Sequence, residues 1–569
     1  MRIGGLAVGA VLVAAGCATT DNAEYGLPTT VTYESPLSVV TNAHGRVFVD
    51  FGKDAFGWLE LMPPSGFTGG VYQVAVSEMK HPDDTTDRWA DGTIRSIWNL
   101  PTVLTAEEKV HRIEFVPDER NTDFARAVPP VKLRPEVGVV WPFRYAEFFA
   151  VPFEVNGRTL RRAMVHYPID MGESSFACSD ERLTKVYDFC KYSILATSFA
   201  GLYVDGDRER IPYEADAYIN QHGHYAISSD GRLARASHEY LLRHPTWPTE
   251  WKQHSIMMAW ADWMWTGETN GLARAYDLLK NEKLLLARAR PDGLLTSPLE
   301  ALTGPNRACD LIDWPPRDRD GYVFRPVSAV INAFHYRNLC QMSDMARALG
   351  KADDADWFAT RAKHVRESYN RVFRDPADGF YRDGEGTGHK GFHAQVAALA
   401  FGLVPDADKR RVAEALVKRG MVCSVYYAQY LLEALYAAGC EDAALALMVA
   451  DSDRSWLGML RQGATITMEA WNRDDKPNLD WNHAWGTPPL NVISRYVLGV
   501  TPLEPGFAKI SVKPQVGGLE SMKGTVPTAR GRVEVEVKGG RLSVSVPAPA
   551  KVVWKGRTHE VPAGRHQFE

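Results

Sequence analysis

The spacing of apolar residues predicts β-structure at both ends of the chain. Between residues 31 and 170, apolar and polar positions alternate in short runs separated by Gly, Pro and Asp, as in VYQVAV at 71–76. From residue 510 the alternation returns, as in VEVEV at 533–537. A period of two is typical of strands that bury one face. Both stretches are therefore predicted to fold as β-sandwiches.

Between these regions the period becomes that of α-helices. Leu183, Val186 and Cys190 lie on one face of the first helix, and the change of period puts a domain boundary between residues 168 and 178. Twelve helical stretches can pair into six hairpins. They are predicted at 180–197, 213–228, 231–243, 252–267, 270–288, 327–349, 352–374, 391–402, 406–418, 423–438, 441–450 and 485–498.

The N-terminus resembles a bacterial lipoprotein signal. Arg2 is positive, residues 3–13 are apolar but too few to span a bilayer, and small residues precede Cys17. The resemblance implies that Cys17 is lipidated and that the protein is exported and anchored in the cell envelope, in the periplasm or at the cell surface. Secretion without an anchor is the alternative. The predicted organisation is a signal peptide at 1–17, a tether at 18–30, a β-sandwich at 31–170, a helical catalytic domain at 171–500 and a β-sandwich at 501–569.

The composition excludes several classes of partner and cofactor. The 65 Lys and Arg nearly balance the 70 Asp and Glu, so no basic surface is expected to attract nucleic acid. No Gly-rich phosphate loop occurs between a strand and a helix, so no nucleotide cofactor is implied. The cysteines form no C-x-x-C pair, and His222 and His224 point to opposite sides of one helix. Neither a metal nor another cofactor is expected.

The first candidate site is a charged segment at 205–216, ahead of a predicted helix. It holds five carboxylates and two guanidiniums. A general acid must be protonated when the substrate arrives, and neighbouring negative charge or burial favours that state. Glu209, between Arg208 and Arg210, has such a setting. The alternative is a solvated loop with surface ion pairs.

The second candidate site combines an isolated acid with a polar and aromatic segment. Glu469 stands alone in a small, apolar run at 463–472, where an acid needs either a partner or a chemical role. Residues 479–486 add His483, amides, an acid and two indoles, a mixture suited to binding a sugar. For His483 the alternative is a hydrogen-bonded structural histidine.

These segments resemble the catalytic motifs of the inverting α-L-rhamnosidases, glycoside hydrolases built on an (α/α)6 barrel. The first family motif, roughly D-C-P-x-R-D-E-R-x-G-W-x-G-D, matches residues 205–216, and the second, roughly T-x-W-E-x-W, matches 467–471. The resemblance extends over residues 45–550 through the order of domains and smaller matches. It implies that Glu209 is the general acid and that Glu469 is the general base that activates water.

The same resemblance assigns the substrate contacts. The Asp residues that open and close the first motif map onto Asp205 and Asp216, its sugar-facing Trp maps onto Tyr213, and the family's N-H-Y-A maps onto residues 482–484. Core packing is an equal alternative for Trp251. The predicted substrate-binding residues are Asp205, Arg208, Tyr213, Asp216, Trp251, Trp314, Trp471 and His483.

The chain departs from the family pattern at three points. The interval from Asp205 to Glu209 is shorter, residues 212–216 read PYEAD where the family has G-W-x-G-D, and Met468 stands where the family has a Trp before the base. The acid and base positions are kept while the walls of the sugar pocket change. Glycoside hydrolysis is thus better supported than rhamnose specificity, and Glu214 is the alternative acid.

The sequence therefore predicts an inverting exo-glycosidase that resembles the α-L-rhamnosidases and hydrolyses terminal sugars of plant or bacterial oligosaccharides or polysaccharides. Two alternatives stay open. A glycan-binding lipoprotein without activity would retain affinity and release no sugar. A polysaccharide lyase on an α/α toroid would form an unsaturated uronate that absorbs in the near ultraviolet.

Overall fold

The computed structural model describes residues 25–87, 97–126, 128–303 and 309–569. The predicted signal peptide, its Cys17 and the first residues of the tether lie outside the described residues. A β-rich region, a helical region and a second β-rich region follow one another, which confirms the predicted order. No helix in the described part of the chain is long and apolar enough to cross a membrane.

Nine strands of the N-terminal region are hydrogen-bonded into one sheet. They are β1 (Thr30–Glu34), β2 (Ser38–Thr41), β3 (Val47–Leu61), β4 (Gly70–Ser77), β5 (Ile97–Trp98), β6 (Thr102–Leu104), β7 (His111–Arg112), β8 (Trp141–Ala150) and β9 (Leu160–His166). The 15-residue β3 pairs with both β8 and β9, and its pairing with β8 shifts register between Asp50 and Ala55. This long strand is therefore the centre of the sheet.

The N-terminal sheet packs directly against the helical region. Phe56 of β3 stacks on Phe199 with ring centroids 3.7 Å apart, and Trp58, Leu202 and Val204 are buried in the same apolar cluster. Burial of aromatic side chains contributes a large share of packing energy. The cluster fixes the segment that immediately precedes the charged loop at 205–216.

Every predicted helical stretch overlaps a helix of the structure. The helices are α1 (Glu181–Ala196), α2 (Glu214–Ile227), α3 (Arg232–Arg243), α4 (Thr249–Thr266), α5 (Asn270–Leu278), α6 (Leu299–Thr303), α7 (Ala329–Ala348), α8 (Ala352–Val372), α9 (Phe392–Ala400), α10 (Asp406–Arg419), α11 (Ala428–Ala437), α12 (Glu441–Met448), α13 (Trp456–Arg461) and α14 (Pro488–Val492). The short α6 and α13 were not predicted; they lie within the longer intervals between predicted helices, at 289–326 and 451–484.

Six of these helices form a closed ring. Helix α2 contacts α4, α4 contacts α7, α7 contacts α9, α9 contacts α11, α11 contacts α14, and α14 contacts α2. Helices α1, α3, α5, α8, α10 and α12 each contact members of the ring. The inner α2 is buried along its whole length, whereas the outer α8 buries one face through Phe358, Val365 and Tyr369 at helical spacing.

The C-terminal region contains two sheets. The strands are β10 (Ser175–Cys178), β11 (Val500–Pro502), β12 (Ile510–Val512), β13 (Ser521–Thr528), β14 (Gly531–Lys538), β15 (Arg541–Val546), β16 (Ala550–Trp554), β17 (Arg557–Val561) and β18 (Gly564–Phe568). One sheet has the order β10-β13-β14-β15-β18 and the other β11-β12-β16-β17. The sequence assigns β10 to the helical region, but it pairs with β13 and so joins the two regions.

Candidate active site

The two predicted catalytic segments meet at one open cavity of about 590 Å³. Its walls come from segments that lead into the inner helices α2, α4, α7 and α14, so they gather at one end of the ring. Nine of the ten predicted site residues are among the lining residues, which are Asp205, Arg208, Glu209, Tyr213, Asp216, Trp247, Trp251, Leu311, Trp314, Glu469, His483 and Trp485.

A closed loop presents Glu209 to the cavity. Its two ends are joined because the Asp205 N–H donates to the Ile211 carbonyl and the Ile211 N–H donates to Asp205 Oδ1, both at 2.9 Å. The Arg210 N–H also donates to the Gly206 carbonyl at 3.1 Å. These internal bonds satisfy backbone groups that no helix or strand could pair here.

The two arginines of this loop have different roles. Arg210 is buried, pairs with Asp207 at 2.6 Å and donates to the Val140 carbonyl of the N-terminal region at 2.7 Å. It has a left-handed backbone conformation with φ of 55°. Arg210 therefore fixes the loop to the protein interior, while Arg208 and Glu209 line the cavity.

Glu209 is loosely held. The Tyr213 hydroxyl donates to Glu209 Oε2 at 3.1 Å, and the nearest guanidinium nitrogens, from Arg208 and Arg126, lie 3.7 and 4.0 Å from Oε1. The Glu209 side chain is 25% exposed. One hydrogen bond and contact with solvent leave this carboxyl free to bind a further polar group.

Glu469 has a closed environment. Arg208 Nη2 lies 3.2 and 3.3 Å from its two oxygens, and Lys476 Nζ donates to Oε2 at 2.9 Å. The Asp480 N–H donates to the same oxygen at 2.9 Å, and the side chain is only 5% exposed. Burial would raise the pKa of Glu469, but the charges of Arg208 and Lys476 more than offset it and lower the pKa. Glu469 is therefore held as a carboxylate.

Two further carboxyl groups in the cavity have the opposite tendency. Burial raises the pKa of Asp205 well above its usual range, and the charges of Glu209 and Asp480 raise it further. Burial likewise raises the pKa of Asp216, with a further contribution from Glu469. These two side chains favour the neutral acid, which can both donate and accept hydrogen bonds.

His483 faces Asp216 on one wall of the cavity. Its Nε2 lies 3.5 Å from Asp216 Oδ1, and burial lowers the pKa of His483 to about 3. Within the described part of the chain, neither oxygen of Asp216 has a hydrogen-bond partner. A neutral imidazole beside such a carboxyl group forms a polar surface that can bind sugar hydroxyls.

Aromatic rings form one wall of the cavity. Tyr213 meets Trp251 edge to face at 5.3 Å, and Trp251 meets Trp485 in the same way at 6.4 Å. Trp485 stacks on Tyr426 at 5.6 Å and donates its indole N–H to the Glu469 carbonyl at 3.0 Å. The wall and the Glu469 segment are thus directly connected, and Trp251 lines the cavity although only 6% exposed.

Two buried acids hold the loop that carries Leu311 and Trp314. Glu250 accepts the N–H groups of Leu311 and Ile312, and burial together with Asp310 raises the pKa of Glu250 to about 8. Asp313 accepts the Trp314 N–H at 2.8 Å and a hydrogen bond from His393 Nε2 at 2.6 Å. These bonds position the partly exposed Trp314 at the cavity.

Two family models together match most of the chain. Residues 172–497 match the bacterial alpha-L-rhamnosidase six-hairpin glycosidase domain, and residues 499–555 match the bacterial alpha-L-rhamnosidase C-terminal domain. The chain belongs to this family. A curated alpha-L-rhamnosidase from Alteromonas sp. (strain LOR) is 27% identical over an alignment of 243 residues that covers 39% of this chain and 25% of that protein.

The fold of this family member is shared with solved structures. The α-L-rhamnosidase from Dictyoglumus thermophilum has a TM-score of 0.74 at 17% identity, and 96% of this chain covers 64% of it. The Streptomyces avermitilis α-L-rhamnosidase complexed with L-rhamnose has a TM-score of 0.76 at 17% identity, with 96% and 54% covered. The chain spans less than two thirds of the length of these relatives.

Two of the sequence-based assignments differ from the structure of this rhamnosidase-family chain. Trp471, predicted to bind substrate, is fully buried, donates its indole N–H to the Cys423 carbonyl at 2.9 Å and packs against Trp456. Glu214, the alternative acid, is also fully buried, bonds to Thr246 and does not line the cavity. Neither side chain lines the cavity.

Sequence reasoning missed a connection from the N-terminal region to both predicted catalytic segments. Asn482 Nδ2 donates to Glu78 Oε1 at 2.6 Å, and Asn482 Oδ1 accepts the Asp207 N–H at 2.9 Å. Glu78 is buried beside Asp54; burial and that neighbour raise its pKa well above the usual range. The one signal in the sequence was that Asn482 immediately precedes His483 in the segment that matches N-H-Y-A.

Lys476 was also missed, since it lies in a polar segment that reads as a surface loop. In the structure it is 5% exposed and bonds to Glu469 and to Asn478 Oδ1.

Among the described residues, no group of three or more His, Cys, Asp or Glu side chains is arranged to hold a metal ion.

Proposed function

We propose that this chain is an inverting exo-glycosidase that removes terminal α-L-rhamnosyl residues from oligosaccharides or polysaccharides. The observation that carries the proposal is the position of Arg208, whose Nη1 lies 3.7 Å from Glu209 and whose Nη2 lies 3.2 Å from Glu469. One guanidinium fork thus separates two carboxyl groups. An acid and a base that stand roughly 6.5 to 9.5 Å apart, as in inverting enzymes, leave room for the attacking water between the base and the sugar.

The two carboxyl groups have environments that suit different tasks. Glu469 is held ionised by Arg208 and Lys476 and can act as the base that deprotonates the attacking water. Glu209 is partly exposed and can give its proton to the leaving oxygen and recover one from solvent. Hydrolysis then breaks the glycosidic bond, with the sugar taking the water's oxygen and the leaving group taking the acid's proton.

The cavity has features that favour a deoxy sugar with hydroxyls on one side. Asp216 and His483 offer polar atoms on one wall, while Tyr213, Trp251 and Trp485 form an apolar wall that suits the methyl group of a 6-deoxyhexose. The relatives that share the fold are named as rhamnosidases, and one was solved with L-rhamnose. These two arguments together select rhamnose as the proposed glycone.

The proposed catalytic frame is an (α/α)6 barrel followed by a β-sandwich. The closed ring of six helices, with six more around it, supports the barrel. The two sheets of the C-terminal region support the sandwich. In this frame the catalytic loops lead into the inner helices, where a rigid ring can hold them in fixed positions.

The proposed location is the bacterial cell envelope, with Cys17 as the lipid-bearing residue. The experiment is detergent partitioning of cells that express the full chain. Cys17→Ala should move the protein from the membrane fraction to the soluble fraction, because one lipid group is the proposed anchor. Cys178→Ala, at a distant thiol, is the control. Unchanged membrane association of Cys17→Ala would contradict the proposal.

The stereochemistry of hydrolysis tests the proposed mechanism. Proton NMR in the first minutes of reaction on an aryl α-L-rhamnoside should show the β-anomer of free rhamnose before mutarotation, because water attacks from the face opposite the leaving group. Initial release of the α-anomer would indicate a covalent intermediate on Glu469. Absence of hydrolysis of every α-L-rhamnoside, with activity on another glycoside, would retain the mechanism and reject the glycone.

A further inference from the structure

Trp247 is the most exposed aromatic residue of the cavity. Its side chain is 39% exposed, whereas Trp251 and Trp485 of the same cavity are 6% and 2% exposed. Buried indoles contribute to the core, but an exposed one contributes little to folding. Single exposed apolar residues are common on protein surfaces, so the position and rigidity of Trp247 decide whether it has a function.

The segment that carries Trp247 is short and fixed at both ends. On one side Thr246 is buried and bonds through its N–H and hydroxyl to the Glu214 carboxylate, with 3.1 Å for the N–H. On the other side the Thr249 N–H donates to the Cys309 carbonyl at 2.9 Å. Pro248, between Trp247 and Thr249, further restricts the backbone.

The fully buried Glu214 contributes to this rigidity. A buried carboxylate is costly unless it is hydrogen-bonded, and its partner in the structure is Thr246, next to Trp247. The arrangement therefore holds an exposed indole at the mouth of the cavity in which Glu209 is also partly exposed. A rigid ring binds another ring with little loss of conformational entropy.

We infer that Trp247 is the platform of a leaving-group subsite, on which a flat ring attached to the scissile oxygen stacks. The inference rests on the proposed function, because it needs a glycoside whose leaving group emerges beside Glu209. Two kinds of group present a flat ring: an aromatic aglycone and the apolar face of a second sugar. Small acyclic leaving groups cannot make this contact and gain nothing from Trp247.

The test compares three α-L-rhamnosides that differ only in the leaving group: methyl, 2-naphthyl and a glucose unit. Trp247→Ala should lower kcat/KM by about tenfold for at least one of the two substrates with a ring, because ring stacking contributes energies of this order. It should change kcat/KM of the methyl glycoside by less than about twofold. Trp247→Phe, which keeps a ring, should recover most of the loss.

The matched control is Trp357→Ala. Trp357 is 47% exposed on the outer helix α8 and does not line the cavity, so the variant should hydrolyse all three substrates like the unaltered protein. A loss confined to the naphthyl substrate identifies an aromatic aglycone, and a loss confined to the disaccharide identifies a sugar.

An equal loss on all three substrates, or no loss on either substrate with a ring, would overturn the inference. Failure of the proposed function has a different signature, since the unaltered protein would then hydrolyse none of the three. In that case binding is the remaining readout: saturation-transfer NMR with 2-naphthyl α-L-rhamnoside should still detect contact that Trp247→Ala weakens and Trp357→Ala does not. Equal contact in both variants would overturn the subsite as well.

Discussion

For each of the two glutamates of the cavity, the neighbours in sequence differ from the neighbours in space. Glu209 lies among charged neighbours in the sequence, yet in the structure its closest polar contact is the Tyr213 hydroxyl at 3.1 Å. Glu469 stands in an apolar run, yet Arg208 and Lys476 lie within 3.2 Å of it. Charge density along the chain therefore does not measure charge density at a site.

The reason for the difference is the direction in which Arg208 points. It neighbours Glu209 in sequence, but its guanidinium bonds to Glu469, 261 residues away. The Glu209 segment is thus a partly exposed loop whose Arg208 side chain extends towards Glu469. The Glu469 segment is buried, and the Arg208 guanidinium binds its carboxylate. For a proposed acid and base, this asymmetry is the useful arrangement, because only the base must remain charged.

The largest expected effect on turnover comes from replacing Glu469 or Glu209 with glutamine. Glu469→Gln should lower turnover by about 10³-fold on all leaving groups, because activation of water is lost whatever the leaving group. Glu209→Gln should lower turnover of alkyl rhamnosides by about 10²-fold or more and that of activated aryl rhamnosides far less. Steady-state rates on both substrate types measure this. An identical dependence on the leaving group in both variants would reject the assignment of roles.

The next effect concerns the connection between the two regions through Asn482. Glu78 is predicted to be protonated, since its pKa is raised, so Glu78→Gln should keep its hydrogen bonds and most of the turnover. Glu78→Leu should lower turnover by about tenfold, because the Asn482 amide N–H then loses its acceptor while its bond to the Asp207 N–H remains.

Thermal unfolding of both Glu78 variants is the control. A Glu78→Leu protein that unfolds early but turns over normally below its transition would assign Glu78 to stability alone. Equal losses of turnover in Glu78→Gln and Glu78→Leu would show that a charged carboxylate, and not a neutral hydrogen-bonding group, is needed.

A smaller effect is expected from removing the charge of Lys476, which should alter the pH dependence of kcat/KM. Lys476 lowers the pKa of Glu469, so Lys476→Met should raise that pKa and move the acidic limb of kcat/KM to higher pH. Activity would then be lost earlier as the pH falls, because the base becomes protonated sooner. Lys280→Met, which removes a surface pair with Asp354, is the control. An acidic limb at the same pH in both variants would contradict the role of Lys476.

The smallest expected effect on turnover comes from removing the hydroxyl group that donates to Glu209. Tyr213→Phe removes the hydroxyl that donates to Glu209 and keeps the ring against Trp251, so turnover should fall by about threefold. Tyr167→Phe removes a similar bond to Asp230 outside the cavity and should leave turnover unchanged. A loss in Tyr213→Phe as large as that of Glu209→Gln would mean that the loop is held more rigidly than its contacts indicate.

The sequence by itself determined the elements and the two segments that meet at the cavity. The change from a period of two to a helical period gave the order of the regions, because periodicity reflects which face of each element is buried. Asp205, Glu209, Tyr213 and Asp216 lie within one loop and the start of α2, so local geometry alone brings them together. The resemblance to the rhamnosidases supplied Glu469.

Only the tertiary structure decided which side chains of the distant segments face the cavity. Among the indoles that follow Glu469 in sequence, Trp485 lines the cavity while Trp471 packs against Trp456 in the core. A polar segment brings Lys476 into contact with Glu469. These outcomes depend on closure of a ring of helices far apart in sequence, and pairwise contacts across such distances leave no period in the chain.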